Sequence, residues 1–245
     1  MISIELVRSF RTEGYVVLPG VFSGAILERL QTEASTILQR LVARMDAIGE
    51  PDRRVTWWRL PTGEHYVFKV KPVLDIAPTA RTVARGGRLL VAVDQLLGGP
   101  STLMEDKITF KQRVVVKRPW PSLRRLGEEV HKHSDAAYFH ARGYRDPVVT
   151  VAVCLDDVPD GSGPVRVWPG SHLQGLPHLP TRDHGPVVPD EYAPDETSVP
   201  LIADAGSVLA WDARLVHASG PNTTGSPRRL LVLGYASAGS GPGDL

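Results

Sequence analysis

From residue 106 onward the sequence is broken into short runs of Val, Ile, Thr and Leu, which are separated by Gly, Pro, Asp and Asn. The runs are KITFKQRVVV, PVVTVAVCL, GPVRVWP, SVLAWDARLVHAS and RRLLVLGYA. This pattern predicts short antiparallel strands, because β-branched side chains favour extended backbone and turn residues end each strand. Many short strands in series predict a sandwich or a jelly roll.

The first hundred residues have a different pattern. Directly after the strand-like YVVLPGVF, apolar residues recur at the spacing of an amphipathic helix. These residues are Leu27, Leu30, Ala34, Leu38, Leu41 and Met45. A second helical stretch covers roughly residues 79–97 and contains the pair Gly86-Gly87, which predicts a break within it. Helices first and strands afterwards predict an α+β fold in which the helices cover one side of a sheet.

At 245 residues with 42% hydrophobic content, the chain is long enough to bury the core of one large domain. We therefore predict a single domain over residues 1–238, with helical support elements in 1–105 and a jelly-roll core in 106–238. The proline-rich stretch 177–199 predicts a long, lid-like loop, and residues 239–245 predict a flexible tail.

The charges are balanced, with 28 Lys and Arg against 27 Asp and Glu, and no block of like charge is present. This balance argues against electrostatic binding of nucleic acid or of a membrane surface. No apolar run approaches the roughly 20 residues that span a bilayer, and the opening residues lack an apolar leader. The single cysteine, Cys154, cannot form an internal disulfide, which fits a reducing compartment. We expect a cytoplasmic protein; its oligomeric state is not indicated.

The stretch EEVHKHSDAAYF packs three potential metal ligands, His131, His133 and Asp135, into five positions. In an extended strand, positions i and i+2 leave the same face, so His133 and Asp135 can converge on one point. His217 is the candidate for a third ligand, because it ends an apolar strand-like run and precedes the turn-forming SGPN. Two histidines and one carboxylate leave open positions on a metal, which is the arrangement of non-haem Fe(II) oxygenases.

The strand that follows His217 begins with Arg228 and Arg229. A guanidinium binds a carboxylate through two parallel hydrogen bonds, so it suits the second carboxylate of a chelating co-substrate. Strand parity alone allows either arginine to face the metal.

Four stretches together resemble the phytanoyl-CoA dioxygenase family of Fe(II)- and 2-oxoglutarate-dependent oxygenases. They are FRTEGYVVLPGVF, HSDAAYF, VTVAVCLDDVPDGSGPVRVWPGSH and AGSVLAWDARLVHASGPNTTGSPRRLLVLGY, which cover roughly half of the chain in the family's order. The resemblance implies a double-stranded β-helix, the cupin-like jelly roll, with flanking N-terminal helices. It also implies hydroxylation of a small organic molecule, coupled to the conversion of 2-oxoglutarate and O2 to succinate and CO2, in a biosynthetic setting such as secondary metabolism.

Carried over by motif position, the resemblance implies that His133, Asp135 and His217 bind Fe(II). It places Arg228 on the distal carboxylate of 2-oxoglutarate, with Ser219 beside it.

The resemblance also implies that 2-oxoglutarate contacts a lysine from the segment before the second helix, which matches Lys69, and a side chain near Lys107, for which Lys111 is a competing match. Each lysine has an equal alternative, in which its stem covers apolar surface and its head lies in water.

Residues 46–64 and 177–199 match the family poorly, and in this family such stretches shape the substrate pocket. The aromatic and basic side chains of the first stretch suggest a partly apolar substrate with an anionic group. They are Arg53, Arg54, Trp57, Trp58 and Arg59.

Three alternatives remain at this stage. The first is a cupin-type metal protein that does not use 2-oxoglutarate, in which His131 and His133 would form the metal clamp, although such a site adds a Glu where this sequence has AAYF. A metal-free jelly-roll binding module is a second alternative, against which the retained ligands and arginine argue. The third keeps the iron centre but ends in desaturation, epimerisation or ring closure. Halogenation is disfavoured, because halogenating relatives replace the carboxylate found here at Asp135.

Overall fold

The computed structural model describes residues 2–59, 63, 65–112, 129–181 and 185–241. The described helices are α1 (Ile4–Glu13), α2 (Ala25–Ile48), α3 (Pro78–Ala84), α4 (Gly87–Leu97) and α5 (Ala136–His140), with 3-10 turns at Ser171–Leu173 and Asp195–Thr197. The described strands are β1 (Tyr15–Leu18), β2 (Val55–Arg59), β3 (His65–Val70), β4 (Ser101–Lys111), β5 (Val130–His133), β6 (Val148–Cys154), β7 (Val165–Val167), β8 (Val199–Pro200), β9 (Val208–Asp212), β10 (His217–Ser219) and β11 (Arg228–Ser237).

The strands form two antiparallel sheets. The larger sheet has the order β1-β9-β6-β11-β4-β3-β2, and the smaller has the order β5-β10-β7-β8. Apolar residues of both sheets pack together in one cluster, including Trp211 and Leu230 of the larger sheet and Val165 and Val167 of the smaller. Two facing antiparallel sheets with helices beside them confirm the predicted α+β jelly roll.

The central strand β6 shows why the fold has this layering. All seven of its residues are buried, since each face of the strand is covered. Val149, Val151 and Val153 pack with the helices in the main hydrophobic core, whereas Ala152 and Cys154 pack between the two sheets.

The N-terminal helices begin and end as their local sequence dictates. The hydroxyl of Ser3 accepts from the N–H of Leu6 at the start of α1, and Gly14 ends the helix with a left-handed φ of 86°. The sequence analysis did not predict α1. The break predicted at Gly86-Gly87 separates α3 from α4. Within the described residues, no helix combines the length and the apolar character needed to cross a membrane.

The sheet begins earlier in the chain than residue 106. β1 pairs with β9, β3 pairs with β4, and β4 itself starts at Ser101. The first hundred residues therefore supply three sheet strands as well as helices, and a division at residue 105 cuts through β4.

Two segments that the sequence analysis singled out lie partly outside the described residues. In the stretch 177–199, Leu179 and Val187 form an isolated bridge, and a 3-10 turn follows at Asp195–Thr197, while His184 is not described. In the tail, the carbonyl of Ser240 accepts from the N–H of Arg145 at 2.9 Å, and residues 242–245 are not described.

Candidate active site

Strand pairing in the smaller sheet brings two distant histidines together. His133 ends β5, His217 begins β10, and the two residues are direct partners in the antiparallel ladder. Nε2 of each imidazole lies 3.7 Å from Oδ1 of Asp135. The three ligand atoms all lie within 4.8 Å of one another, a spacing that suits one metal ion.

Asp135 reaches this point by a different route from the one that strand parity predicted. Its backbone is right-handed helical (φ −62°, ψ −30°), and it serves as the N-cap residue of α5. The next residue, Ala136, donates its N–H to the carbonyl of Ala213 at 2.8 Å, which anchors the turn to the loop before β10. The carboxylate therefore turns toward the histidines because the chain leaves the strand after His133, and not because the strand continues.

Backbone carbonyls orient both imidazoles. Nδ1 of His133 lies 2.7 Å from the carbonyl oxygen of His131, and Nδ1 of His217 lies 3.0 Å from that of Leu215. A carbonyl only accepts, so each Nδ1 carries the proton and donates it. The lone pair of each ring is then on Nε2, which faces Asp135.

The two oxygens of the Asp135 carboxylate also have different surroundings. Its Oδ2 accepts hydrogen bonds from the Thr150 hydroxyl at 2.7 Å and from Trp211 Nε1 at 3.1 Å, and all three side chains are buried. Its Oδ1 is the oxygen that faces the histidines. The sequence analysis assigned no functional role to Thr150 or Trp211; their inward positions on β6 and β9 were the available signal.

The electrostatics fit a divalent cation. Burial, followed by repulsion from His133, lowers the pKa of His217 to about 4, so its imidazole is neutral at pH 7. Burial by itself would raise the pKa of Asp135, but the two imidazoles and Lys107 outweigh it and hold the pKa below its ordinary range. A neutral Nε2 lone pair and an ionised Oδ1 are the forms that bind a metal ion.

Arg228 and Lys111 lie opposite each other on β11 and β4 and line the same cavity as the three ligands. Both are almost fully buried, with 2% and 1% exposure. Nη2 of Arg228 donates to the carbonyl of Gly163 at 2.9 Å, and Nε has no hydrogen-bond partner among the described residues. Nζ of Lys111 donates to the hydroxyl of Ser219 at 2.8 Å. Burial lowers the pKa of Arg228 to about 10, so it is still a cation at pH 7 and suits an anion.

Arg229 points the other way. Its guanidinium bonds both carboxylate oxygens of Asp156, at 2.8 and 2.6 Å, and the hydroxyl of Ser35 on α2 at 2.7 Å. Of the two arginines, Arg228 is the one that lines the cavity at the three ligands.

That cavity has a volume of about 850 Å³, and the predicted lysines Lys69 and Lys107 also line it. Lys107 donates to Glu105 at 2.8 Å, while Lys111 is the lysine that contacts Ser219. The resemblance left Lys107 and Lys111 as competing matches, and strand parity would not have separated them, because both side chains leave the same face of β4.

The other basic residues singled out from the sequence lie elsewhere. Arg54 bonds Asp75 at 2.9 Å, and neither it nor Arg53 lines the cavity. Trp57 does line it, whereas the side chains of Trp58 and Arg59 are outside the described part of the chain.

The described part of 177–199 lies over the ligand-bearing strand. The N–H of Ser134 donates to His178 Nε2 at 3.2 Å, and the N–H of Val188 donates to the carbonyl of Lys132 at 2.8 Å. Lys132 also bonds Asp190 and Asp195, both at 2.7 Å. These contacts tie the segment to β5, and Pro186 and Val187 line the cavity.

Comparison with known proteins gives three informative similarities. The ectoine dioxygenase of Bordetella parapertussis is 26% identical over an alignment of 255 positions, which covers 96% of this chain and 76% of that protein. The crystal structure of EctD from S. alaskensis with 2-oxoglutarate and 5-hydroxyectoine superposes with a TM-score of 0.75 at 22% identity, covering 98% of this chain and 77% of that one. The epimerase SnoN, in complex with Fe3+, alpha ketoglutarate and nogalamycin RO, gives a TM-score of 0.67 at 24% identity, covering 96% and 83%.

A jelly roll with two histidines and one carboxylate gathered at a cavity defines the class of non-haem iron oxygenases. The profile of the phytanoyl-CoA dioxygenase (PhyH) family matches residues 10–230, so the chain belongs to this family. It is accordingly an Fe(II)- and 2-oxoglutarate-dependent oxygenase that uses O2.

Proposed function

We propose that His133 Nε2, His217 Nε2 and Asp135 Oδ1 bind Fe(II), and that the enzyme hydroxylates a small organic molecule. One observation carries this proposal. The second polar atom of each side chain is already hydrogen-bonded, and the three remaining ligand atoms lie within 4.8 Å of one another. Bound there, Fe(II) with 2-oxoglutarate and O2 supplies the oxidation of a C–H bond, with succinate and CO2 as co-products.

The protein contributes binding and orientation to this chemistry. Arg228 and Ser219 would hold the distal carboxylate of 2-oxoglutarate, because Arg228 has a buried N–H without a partner among the described residues. Lys111 would position Ser219 and add a second positive charge. Thr150 and Trp211 hold the Asp135 carboxylate in the orientation that leaves Oδ1 free for the metal.

The segment 177–199 would act as a lid that excludes water from the cavity while the substrate reacts, since described residues of the segment line that cavity. We further propose one domain over 1–238 and a cytoplasmic location, which the lone, buried Cys154 supports.

The test of the cofactor assignment is anaerobic titration of the metal-free protein with Fe(II) and 2-oxoglutarate. We expect a visible metal-to-ligand charge-transfer band, and succinate formation once O2 is admitted. The variant Arg228→Met should need more 2-oxoglutarate with Fe(II) still bound, whereas the matched variant Arg229→Met should not. The reverse result would show that the wrong arginine has been assigned.

The test of the reaction is a substrate screen by mass spectrometry. A gain of one oxygen identifies hydroxylation, and a loss of two hydrogens identifies desaturation or ring closure. Unchanged mass with altered chromatographic retention identifies epimerisation. Absence of the charge-transfer band together with absence of succinate would favour a cupin-type metal protein that does not use 2-oxoglutarate.

A further inference from the structure

Ser134 lies between two of the metal ligands, and one side chain from the segment 177–199 serves both of its donors. Ser134 is buried, with 3% exposure. Its N–H and its hydroxyl both donate to Nε2 of His178, at 3.2 and 2.9 Å. A buried donor that loses its acceptor destabilises the conformation that buries it. The turn between His133 and Asp135 therefore depends on a residue that is 44 positions further along the chain.

The ring of His178 is set to accept these two hydrogen bonds. Its Nδ1 lies 3.1 Å from the carbonyl oxygen of Leu176. Because a carbonyl only accepts, Nδ1 carries the proton and the lone pair of the ring is on Nε2, which faces Ser134. Burial lowers the pKa of His178, so the ring is neutral at pH 7. The contact is thus directional, and it needs an acceptor at the position of Nε2.

The turn that carries Asp135 is held through the backbone on both of its sides. Ala136 follows Asp135 and donates its N–H to the carbonyl of Ala213, in the loop before β10. Ser134 precedes Asp135 and donates its N–H to His178. One attachment therefore comes from the part of the chain that leads to the third ligand, and the other comes from the segment 177–199.

The segment 177–199 has further attachments to β5 that do not involve His178. The N–H of Val188 donates to the carbonyl of Lys132 at 2.8 Å. The ammonium of Lys132 pairs with Asp190 and Asp195, both at 2.7 Å. Loss of the His178 imidazole would therefore release the turn and leave the segment on β5.

We propose that His178 is a positioning residue of the metal site. By accepting both hydrogen bonds from Ser134, it fixes the turn between His133 and Asp135 and links the seating of the segment 177–199 to Fe(II) binding. The proposal rests on the proposed function, because it takes these side chains as Fe(II) ligands. It gives the segment a role besides covering the cavity. Since such a linkage is reciprocal, bound Fe(II) should hold the segment more firmly on β5.

The first test measures the Fe(II) dissociation constant under anaerobic conditions by competition with a coloured chelator. His178→Leu removes the acceptor and should raise this constant about tenfold, at the lower end of the effect of residues that orient metal ligands. His178→Gln should restore most of the affinity, because its amide oxygen can accept in place of Nε2. Asp190→Asn is the matched control, since it breaks an attachment of the same segment at a side chain that is 88% exposed, and it should bind Fe(II) like the wild type.

Three results of this titration would overturn the positioning role: wild-type affinity in His178→Leu, no recovery in His178→Gln, or an equal loss in Asp190→Asn. If His178→Leu does not fold, as judged by circular dichroism, Ser134→Ala takes its place. It removes one of the two hydrogen bonds to His178 and should raise the dissociation constant about threefold. Wild-type affinity in Ser134→Ala would then count against the proposal.

The second test uses amide hydrogen exchange and does not depend on turnover. Fe(II) should slow exchange in peptides that cover residues 186–193 of the wild type, where the N–H of Val188 reports contact with β5. In His178→Leu, Fe(II) should leave this exchange unchanged. A merely structural histidine would lower the thermal midpoint when replaced and keep the effect of Fe(II) on exchange, and that result would refute the linkage.

The charge-transfer band separates this proposal from the proposed function. Absence of the band in wild-type protein with Fe(II) and 2-oxoglutarate refutes the proposed function itself. A normal wild-type band, together with wild-type Fe(II) affinity in His178→Leu, refutes the positioning role alone.

Discussion

The substitution Thr150→Val tests how the protein orients its metal ligands. Thr150 donates the shorter of the two hydrogen bonds to Asp135 Oδ2, at 2.7 Å against 3.1 Å from Trp211. Valine has nearly the same shape, so the substitution removes the donor from a site that is 2% exposed without leaving a cavity. Trp211 is then the remaining donor of the two, through the longer bond, so Oδ1 is held less firmly toward the histidines.

The expected cost follows from the type of bond that is lost. A hydrogen bond to a charged group contributes about 1.5–3 kcal/mol. Loss of a residue that orients a metal ligand typically weakens metal affinity about 10–100-fold, which is about 1.4–2.8 kcal/mol. We therefore expect the Fe(II) dissociation constant of Thr150→Val to be about 10–100-fold higher than that of the wild type.

The assay is anaerobic Fe(II) titration against a competing chromophoric chelator. Thr109→Val is the matched control, because Thr109 lines the same cavity but its hydroxyl has no partner among the described residues. That control should bind Fe(II) like the wild type. Wild-type affinity in Thr150→Val would refute the orienting role. An equal loss of Fe(II) affinity in both variants would show that any threonine-to-valine substitution in this cavity weakens Fe(II) binding. That result would refute the orienting role as well.

Three further predictions concern the ligands, the arginines and the acid stability of the cavity. His217→Ala should abolish Fe(II) retention in equilibrium dialysis and leave the circular dichroism spectrum unchanged, because the histidine lines the cavity and is not part of the hydrophobic clusters. Arg229→Met should lower the free energy of unfolding in urea by about 1–3 kcal/mol, since it breaks the bidentate pair with Asp156, whereas Arg228→Met should destabilise less. Burial would raise the pKa of Glu105, but the neighbouring lysines outweigh it and lower the pKa to about 2. The ion pairs then stabilise the fold above pH 4.5 and are lost as the pH falls toward 2, so the stability advantage of wild type over Glu105→Gln should shrink by about 3 kcal/mol across that range in urea melts.

Much of the fold was predictable because its signals are local. The all-buried run of β6 and the periodic apolar face of α2 are written in adjacent residues. The helix α1 and the strands β2 and β3 were missed. These elements depend on tertiary contacts and not on a local signal, since β3 pairs with β4 and α1 packs beside β1 and α4.

The candidate site divides in the same way. His133 and Asp135 were chosen from the sequence by strand parity, but the structure brings them together through a helical turn at Asp135. Lys107 and Lys111 share a face of β4, so no local pattern separates them. Their different partners, Glu105 and Ser219, appear only after the strands have packed.

The sequence by itself determined which side chains are available to bind a metal and which segments must be extended or helical, because these properties depend on residue type and on spacing along the chain. Only the tertiary structure decided that His217 lies opposite His133, that Arg228 faces inward, and that His178 bonds Ser134. The physical reason is that strand register between distant segments is set by packing and by ladder hydrogen bonds, which join residues that no local pattern relates.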